Sequence, residues 1–391
     1  MTPDDLDFLT SPAGEALLEH LAGQDLSDWN TLPLLTALRK TYDPAQAGAA
    51  LKLAQLREKA RGKFGANAAR MFFTEAALQQ ASDPLVRVYR AGCTGAASVV
   101  DLCCGIGSDA LAFAAAGQAV TGYDRDPLRV RLATLNAAAL GLSSARFAVA
   151  DVTGPDFQPQ AEMIFFDPAR RDPRGNRIYD VTRYQPPLAT IDRYAAPLRA
   201  VKLSPGVDLA QLEGYSGRVE FISVNGDLKE ALLWLDGTVA PPEATLLVDD
   251  ALHHWRPPPT MPAAPVDLPR RWLVEPDPAL IRAGLVQAVA AAYDGALLDP
   301  TIAYFTTENK PQTPWCRAWE ILDWMPFNLK KLRAALRARG MGTLTVKKRG
   351  SAITPETLIR KLKLSGDERC TVVLTRYDGA QIALICADYT V

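Results

Sequence analysis

The sequence contains no uninterrupted run of about 18 strongly apolar residues, the length that a membrane-spanning helix requires. Its six cysteines are scattered over 391 residues, and only Cys103 and Cys104 are adjacent, which is not the spacing of a disulfide framework. The first residues are acidic, whereas a secretory signal begins with basic and then apolar residues. These absences exclude an integral membrane protein and favour the reducing setting of the cytoplasm.

Histidine is also scarce, with three residues in the chain. His253 and His254 lie in a proline-rich stretch without nearby cysteine or glutamate at ligand spacing, and the cysteines lack the paired spacing of a zinc site. We therefore expect no metal centre. What remains is ordinary for a globular protein, because 48% of residues are apolar and 22% are charged, and the length suggests two or three domains.

Positive charge is concentrated near the C-terminal end. Residues 325–376 contain 13 Lys and Arg against 3 Asp and Glu, whereas the whole chain has a net charge of −1. A local surplus of this size predicts a polyanionic partner, most simply a nucleic acid, and the alternative is a solvated charged face. The expected phosphate contacts are Lys330, Lys331, Arg333, Arg337, Lys347, Lys348 and Arg349.

The hydrophobic pattern divides the chain into four parts. Residues 1–92 show apolar residues at helical spacing, with helices expected at 14–21, 47–60, 66–80 and 83–91. Residues 93–240 alternate helical stretches with short apolar runs at 98–102, 119–123, 145–150, 163–166, 200–202, 218–224 and 231–235, which predicts an α/β domain with a doubly wound, mostly parallel sheet. Ten prolines fall between residues 241 and 278, so we expect a linker at 241–270. Residues 271–391 alternate helices and strands, which predicts a basic α+β domain.

A glycine-containing turn follows the first apolar run of the α/β domain. The run ends at Asp101, and Gly105 and Gly107 then lead into a helix that begins near Ser108. Glycine allows the close backbone approach that a nucleotide-like ligand needs at the carboxyl end of a first strand. The spacing also fits the dinucleotide fingerprint, so the turn alone leaves a nucleotide-dependent oxidoreductase open.

Acidic residues end three successive predicted strands and discriminate between these ligands. Asp101 would repel the pyrophosphate of a dinucleotide but would suit the ammonium and sulfonium groups of S-adenosylmethionine. Asp124 follows the second strand, where a carboxylate can accept hydrogen bonds from ribose hydroxyls, and Asp151 follows the third, where a side chain can bind the adenine amino group. The alternative interpretation is that such residues are helix caps or turn formers.

The fourth predicted strand ends in Asp167-Pro168-Ala169-Arg170. A carboxylate followed by proline at a strand end forms a rigid turn that presents acceptors to one point, where a ring or exocyclic nitrogen can be oriented toward a methyl donor. Asp167 and the Pro168 carbonyl are the expected orienting groups. Arg170 is expected to hold the base or the backbone of the substrate. The alternative is an ordinary Asp-Pro turn.

These motifs together resemble class I S-adenosylmethionine-dependent methyltransferases, and in particular bacterial chains that join such a domain to a THUMP-like C-terminal module. The likeness includes the cofactor loop at 100–109, Asp124, Asp151 and the Asp-Pro-Ala-Arg motif, and it extends to residues 72–74, 79–82, 320–326, 345–350 and 372–376. It implies a Rossmann-like seven-stranded sheet, S-adenosylmethionine as cofactor and an RNA substrate, either ribosomal or transfer RNA. Cys103, in the cofactor loop, is then expected to line the cofactor site.

The motif departs from the usual amino-methyltransferase pattern, because Ala169 and Arg170 replace the second proline and the aromatic residue that stacks on the base. The Asp-Pro-x-Arg form also occurs in uridine C5-methyltransferases, but these need a downstream cysteine nucleophile, and no cysteine lies between Cys104 and Cys316. We therefore expect transfer to a base nitrogen, with guanine N2 as the working hypothesis.

Two further points remain open from the sequence. Lys202 ends the fifth predicted strand and is interpreted either as a contact for phosphate or substrate or as a solvated strand end. An RNA-binding protein with a decayed methyltransferase domain, or an enzyme that acts on protein or on a small molecule, is also compatible with the motifs.

Overall fold

The computed structural model describes residues 1–172, 174–249 and 251–388. The chain divides into two compact units, the first comprising Met1–Gly217 and Ala231–Val239 and the second Arg218–Glu230 and Ala240–Val391. In the described residues the α-helices are α1 (Pro3–Leu9), α2 (Pro12–Ala22), α3 (Asp28–Leu38), α4 (Pro44–Phe64), α5 (Glu75–Gln80), α6 (Pro84–Cys93), α7 (Ser108–Ala115), α8 (Pro127–Leu140), α9 (Pro278–Arg282), α10 (Val286–Ala292), α11 (Leu329–Ala338) and α12 (Pro355–Leu362).

The strands are β1 (Ser98–Leu102), β2 (Ala119–Asp124), β3 (Ala145–Val149), β4 (Met163–Phe166), β5 (Leu198–Leu203), β6 (Arg218–Val224), β7 (Asp227–Leu235), β8 (Glu243–Val248), β9 (Ala251–Trp255), β10 (Trp272–Pro276), β11 (Ala296–Leu297), β12 (Phe305–Thr307), β13 (Cys316–Pro326), β14 (Met341–Lys348), β15 (Glu368–Tyr377) and β16 (Ala380–Ala387). Short 3-10 helices occur at Gly65–Arg70, Val181–Arg183, Leu188–Arg193 and Leu209–Leu212.

Helices α1 to α6 form the N-terminal part of the first unit. Most begin with a polar capping residue followed by proline, as at Ser11 before α2 and Asp83 before α6, and this combination satisfies the free amides of the first turn. The apolar faces of α1 to α5 share one core with α7 and α8, through Leu111 and Leu132. The helical segment is therefore packed on one face of the sheet of this unit.

The helix expected at residues 66–80 is interrupted. Residues 65–70 form a 3-10 helix, the chain is then irregular, and α5 begins at Glu75. The amide of Phe72 donates a 2.7 Å hydrogen bond to the side chain of Asn136 on α8, and the Asn136 amide group returns a 3.2 Å bond to the Phe72 carbonyl. Because Asn136 is fully buried, it uses the backbone groups of Phe72 that a helix would have used, and this tertiary pairing outweighs the local helical pattern.

The sheet of the first unit has the order β3-β2-β1-β4-β5-β7. Strands β1 to β5 are mutually parallel, and β7 runs antiparallel to β5. The prediction of a doubly wound α/β sheet is thus confirmed. Five of the seven strands that the family resemblance implies lie in this unit, together with the Ala231–Leu235 part of β7. The strand order reverses between β1 and β4, so the crevice that binds ligands in such folds lies at their carboxyl ends.

In the second unit, β6 pairs in parallel with β8, and β8 pairs antiparallel with β9. Strands β8 and β9 lie inside the segment 241–270, which the proline density had marked as a linker. The expectation failed because the prolines flank the strands: Pro241 and Pro242 precede β8, and Pro257 follows β9. Both strands therefore keep the backbone amides that their ladders need.

The remainder of the second unit contains a seven-stranded sheet in the order β11-β12-β10-β13-β16-β15-β14. Helices α11 and α12 bury Leu332, Leu336, Leu358 and Leu362 against one face of it. This arrangement confirms the predicted C-terminal α+β domain. Over the described residues, no helix is both long and apolar enough to span a membrane.

Candidate functional site

The loop between β1 and α7 has an unusual backbone. Cys103, Gly105 and Gly107 have φ angles of 66°, 56° and 84°, so three of five residues adopt the left-handed conformation that glycine tolerates best. Gly107 cannot be replaced easily, since a Cβ atom there would lie 3.1 Å from the Phe147 ring. The loop turns the chain sharply at the carboxyl end of β1 and leads directly into α7.

Asp124, the last residue of β2, holds this loop. One of its carboxylate oxygens accepts a 3.0 Å hydrogen bond from the Gly105 amide, and the other accepts one of 3.0 Å from the Asp126 amide. The carboxylate is 4% exposed. The structure thus brings together two residues that the sequence had assigned to the cofactor, and it shows that Asp124 also orders the loop.

Asp101 lies at the base of the same site. The side chain is 1% exposed, and neither carboxylate oxygen has a hydrogen-bond partner within the described part of the chain. Burial, reinforced by the nearby carboxylates of Asp109 and Asp167, raises the pKa of Asp101 well above its ordinary value. A buried carboxylate without donors fits a ligand that brings its own cationic donor, as the ammonium group of S-adenosylmethionine does.

Asp151 lies beyond the end of β3 and is exposed. Its carboxylate accepts hydrogen bonds of 2.6 Å and 2.8 Å from the hydroxyl and amide of Thr153, and these bonds lower its pKa. The side chain therefore closes a local turn after β3.

Asp167 lies directly after β4, beside the end of β1, and its amide donates a 3.2 Å hydrogen bond to the carbonyl of Leu102. Two cations contact the carboxylate. Lys202 Nζ lies 2.8 Å from Oδ2, and Arg170 Nη2 lies 3.5 Å from Oδ1. The Asp167 side chain keeps 22% of its surface exposed, so it is fixed in position yet accessible. The adjacent Pro168 is buried.

Arg170 is held from a second side as well, because its Nη1 donates a 2.7 Å hydrogen bond to the Leu203 carbonyl at the end of β5. The guanidinium therefore links the ends of β4 and β5. The sequence had assigned this side chain to the base or backbone of the substrate, and here it serves the protein's own structure.

Lys202 is 4% exposed, so the interpretation of a solvated strand end was wrong. Its ammonium group donates both to Asp167 and, at 2.8 Å, to the hydroxyl of Ser82. Burial of an ammonium group is costly unless it is paired, and these two acceptors provide the pairing.

A buried network behind Lys202 was not anticipated. The Ser82 hydroxyl donates a 2.8 Å hydrogen bond to Asp109 on α7, and Asp109 also pairs with Arg90 on α6, which is fully buried. Burial alone would raise the pKa of Asp109, but Arg90 and Lys202 outweigh it, and the pKa is lowered. The network joins the N-terminal helices to Asp167. The sequence signals were Ser82 and Asp109, which lie in the segments 79–82 and 100–109 that resemble the family.

The two loop cysteines are thiols. Burial raises the pKa of Cys103, and it raises the pKa of Cys104 as well, with the neighbouring aspartates adding to the effect. No group of three or more potential metal ligands occurs among the residues that the structure describes. The Cys103 thiol is therefore uncharged at neutral pH.

The basic residues assigned to RNA separate into an exposed group and a group paired with Glu275, and two arginines of α11 also contact backbone carbonyls. Lys330, Lys331, Lys348 and Arg337 are exposed. Lys347 and Arg349 instead pair with Glu275 at 2.5 Å and 3.2 Å. Arg333 and Arg337 donate to the carbonyls of Lys361 and Lys363, which anchors α11 to the end of α12.

Comparison with known proteins agrees with this geometry. A family model described as a methyltransferase domain matches residues 99–167, one described as THUMP domain-like matches residues 316–388, and a domain of unknown function matches residues 2–60. A crystal structure from Porphyromonas gingivalis W83, solved under the description of a methyltransferase, has a TM-score of 0.78 with full coverage of both chains and 19% identity. That identity shows the fold alone.

Two proteins from Mycobacterium tuberculosis, strains CDC 1551 and H37Rv, are each named as an uncharacterized S-adenosylmethionine-dependent methyltransferase. Each is 34% identical to this chain over 343 residues, which is 85% of this chain and 93% of the relative. The comparisons give no support to the dinucleotide-dependent alternative. The cofactor is S-adenosylmethionine, and the chain belongs to the class I S-adenosylmethionine-dependent methyltransferases, with a THUMP-like domain near its C-terminal end.

Proposed function

We propose that this methyltransferase modifies RNA by transferring the methyl group to a base nitrogen that Asp167 orients. The observation that carries the proposal is the state of Asp167: its carboxylate is pinned by Lys202 and Arg170 at the carboxyl edge of β4, yet part of it stays accessible. A fixed acceptor at this place suits a substrate that offers an N–H donor, as an amino group of a base does.

The chain's own residues act mainly by positioning. S-adenosylmethionine, when bound, supplies a methyl group made electrophilic by the sulfonium. Asp167 would accept a hydrogen bond from the target amino group and hold its lone pair in line with that methyl group. As positive charge develops on the nitrogen, the carboxylate stabilises it. The Pro168 carbonyl would accept a second hydrogen bond. After the transfer the nitrogen would lose its extra proton to water, and S-adenosylhomocysteine would be the second product.

The cofactor would lie over the loop that follows β1. Asp101 would pair with its ammonium group, and the backbone at Gly105 and Gly107 leaves room for close approach. Asp124 would accept hydrogen bonds from the ribose hydroxyls while it keeps the hydrogen bond from the Gly105 amide, and Asp151 would contact the adenine. The position of Asp101, buried and without a donor among the described residues, supports this assignment most directly.

The RNA part of the proposal rests on the second unit. A THUMP-like domain suggests RNA binding, and Lys330, Lys331 and Lys348 are exposed cationic side chains of this domain. Contacts of this kind bind phosphates without reading sequence, so they position the RNA and leave the choice of base to the catalytic site. Guanine N2 is the working target.

Mass spectrometry of nucleosides tests this function. Total RNA from a strain that lacks the gene is compared with RNA from its parent, and the missing nucleoside is then restored in vitro with the purified protein and S-adenosylmethionine. We expect one N-methylated nucleoside to disappear and to return. Identical nucleoside profiles of the deletion strain and its parent, together with methyl transfer to protein in a lysate, would show that the substrate is protein and not RNA.

A further inference from the structure

The catalytic motif lacks a surface on which a base can stack. Ala169 and Arg170 occupy the positions where amino-methyltransferases have proline and an aromatic residue. Arg170 cannot easily take over that role, because its guanidinium is bound both to the Leu203 carbonyl and to Asp167. A base held at Asp167 therefore needs a flat partner from another segment.

Exposed aromatic side chains are rare in this protein. Among the described residues, the large aromatic side chains that are strongly exposed are those of Trp29, at 94%, and Tyr179, at 49%. Trp29 lies on α3 in the N-terminal helical part. Tyr179 lies in the segment that connects β4 to β5, which are the two strands whose ends carry Asp167 and Lys202.

The backbone places Tyr179 beside the motif. The chain turns back after Arg170, and the amide of Ile178 donates a 2.8 Å hydrogen bond to the Arg170 carbonyl. Arg171 and Arg177 form an antiparallel bridge in the same turn. The turn is closed by Asp172, whose side chain accepts the Asn176 amide at 2.8 Å. Tyr179 thus follows directly after the residue that is bonded to Arg170.

The ring of Tyr179 rests on a glycine. A Cβ atom built on Gly206 would lie 2.9 Å from Cε1 of the ring, closer than side chains approach each other, so the ring occupies space that only glycine leaves free. Gly206 comes three residues after Leu203, the last residue of β5 and the acceptor of Arg170. The Cε1 and Cδ1 edge of the ring therefore lies against Gly206, while about half of the side chain is open to solvent.

We propose that Tyr179 is the stacking platform for the target base, supplying from the β4–β5 connection the aromatic surface that the Asp-Pro-Ala-Arg motif lacks. The inference rests on the proposed function, since it requires a planar base as substrate. An aromatic ring that packs against Gly206, stays about half exposed and directly follows the residue bonded to Arg170 suits stacking, which accepts any base and adds affinity without hydrogen-bond selectivity.

Steady-state methyl transfer to total RNA from the deletion strain tests the platform. Tyr179→Leu, which keeps an apolar side chain but removes the ring, should lower kcat/KM by roughly 5- to 150-fold, the range expected for one lost base–aromatic stack. Tyr179→Phe should stay within about twofold of wild type. Trp29→Ala, which removes the other exposed aromatic ring, is the matched control and should not change kcat/KM. Affinity for S-adenosylhomocysteine, measured by calorimetry, should be the same in all four proteins.

A second variant displaces the ring without deleting it. Gly206→Ala should push the Tyr179 ring aside and lower kcat/KM on its own, but it should have little further effect in the Tyr179→Leu background, because both changes act through one ring. Such non-additivity is the signature of a direct coupling.

The outcomes separate cleanly. Full activity of Tyr179→Leu, or equal losses in Tyr179→Leu and Trp29→Ala, would overturn the platform while leaving RNA methylation intact. Absence of any methyl transfer to RNA by the wild-type protein would instead overturn the proposed function, and the platform with it.

Discussion

Lys202 and Asp167 form an ion pair in which Nζ lies 2.8 Å from Oδ2, and the lysine side chain is 4% exposed whereas the aspartate is 22% exposed. The cation is thus inside the protein and the anion faces outward. Ser82 accepts a second hydrogen bond from the same ammonium group. This arrangement makes Lys202 a positioning residue for Asp167, fixed from behind by the N-terminal helices.

Substitution of Lys202 tests that role. Lys202→Met leaves the length of the side chain nearly unchanged but removes the charge, so Asp167 loses its closest partner. We expect the free energy of unfolding to fall by about 2 kcal/mol, less than for a fully buried pair because Asp167 is partly solvated and keeps Arg170. Methyl transfer should fall at least about tenfold, with unchanged affinity for S-adenosylhomocysteine.

A matched control for this variant exists in the same unit. Lys52 and Glu75 are also 2.8 Å apart, but their side chains are 49% and 55% exposed. Lys52→Met should therefore cost under about 1 kcal/mol of stability and leave turnover unchanged. Equal effects of the two substitutions on urea unfolding and on turnover would contradict the positioning role of Lys202.

Asp124 gives a prediction about cofactor binding. Asp124→Ala removes both the acceptor for the Gly105 amide and the expected acceptor for the ribose, so the dissociation constant of S-adenosylhomocysteine should rise at least about tenfold, as measured by calorimetry. The control is Asp126→Ala. Asp126 caps α8 by accepting a 2.9 Å hydrogen bond from the Leu128 amide. Its loss should lower the free energy of unfolding by about 1 kcal/mol without changing the affinity for S-adenosylhomocysteine. Similar dissociation constants for the two variants would remove Asp124 from the cofactor site.

Asp101 links stability to pH. Burial raises its pKa in the folded protein above the ordinary value of 3.8, so the folded state binds the proton more tightly than the unfolded chain does. The folded state is therefore favoured below pH 3.8 and loses stability through this group as the pH rises toward the raised pKa.

The neutral variant Asp101→Asn should accordingly be more stable than wild type at neutral pH, and the difference should shrink toward pH 4 in urea unfolding. The same variant should bind S-adenosylhomocysteine more weakly, because the amide cannot pair with the cofactor ammonium. A variant that is less stable than wild type at pH 7, or that binds the cofactor equally well, would show that Asp101 is not a buried carboxylate kept for the ligand.

The two groups of basic residues should behave differently in RNA binding. Lys330 and Lys331 use their backbone amides to bond Asn328, which leaves their exposed side chains for phosphate. Replacing both by alanine should reduce the slope of log affinity against log salt by roughly 0.7 to 0.9 per lysine, measured by anisotropy with bulk transfer RNA. Lys347→Ala, which breaks the pair with Glu275, should chiefly lower stability. A larger loss of salt dependence in Lys347→Ala would reverse this assignment.

The clustering of the candidate site residues was predictable from the sequence where those residues follow parallel strands. The carboxyl ends of parallel strands meet at one edge, so Asp101, Asp124 and Asp167 could be assigned to one crevice from their spacing alone. The bounds of β1, β4 and β6 also agree with the apolar runs at 98–102, 163–166 and 218–224, because strands this buried read as continuous apolar segments.

The sequence did not reveal how buried charges pair across helices. Ser82 lies between α5 and α6, Arg90 on α6 and Asp109 on α7, and nothing in their local patterns shows that they converge on Lys202. The break at Phe72 has the same origin, since its backbone bonds to Asn136, 64 residues away. The linker prediction for residues 241–270 failed for another reason. The proline density was counted over residues 241–278, whereas the strands β8 and β9 lie between the prolines.

Methyl transfer by Asp167→Asn tests the central claim most directly. The variant keeps the shape of the side chain but loses the charge that orients the nitrogen. In a single assay with labelled S-adenosylmethionine and RNA from the deletion strain, the wild-type protein should label RNA. The variant should bind S-adenosylhomocysteine with unchanged affinity and transfer methyl groups at least about a hundredfold more slowly, the scale of loss of one electrostatic catalytic contact. Turnover equal to that of wild type, with the cofactor bound, would contradict the account.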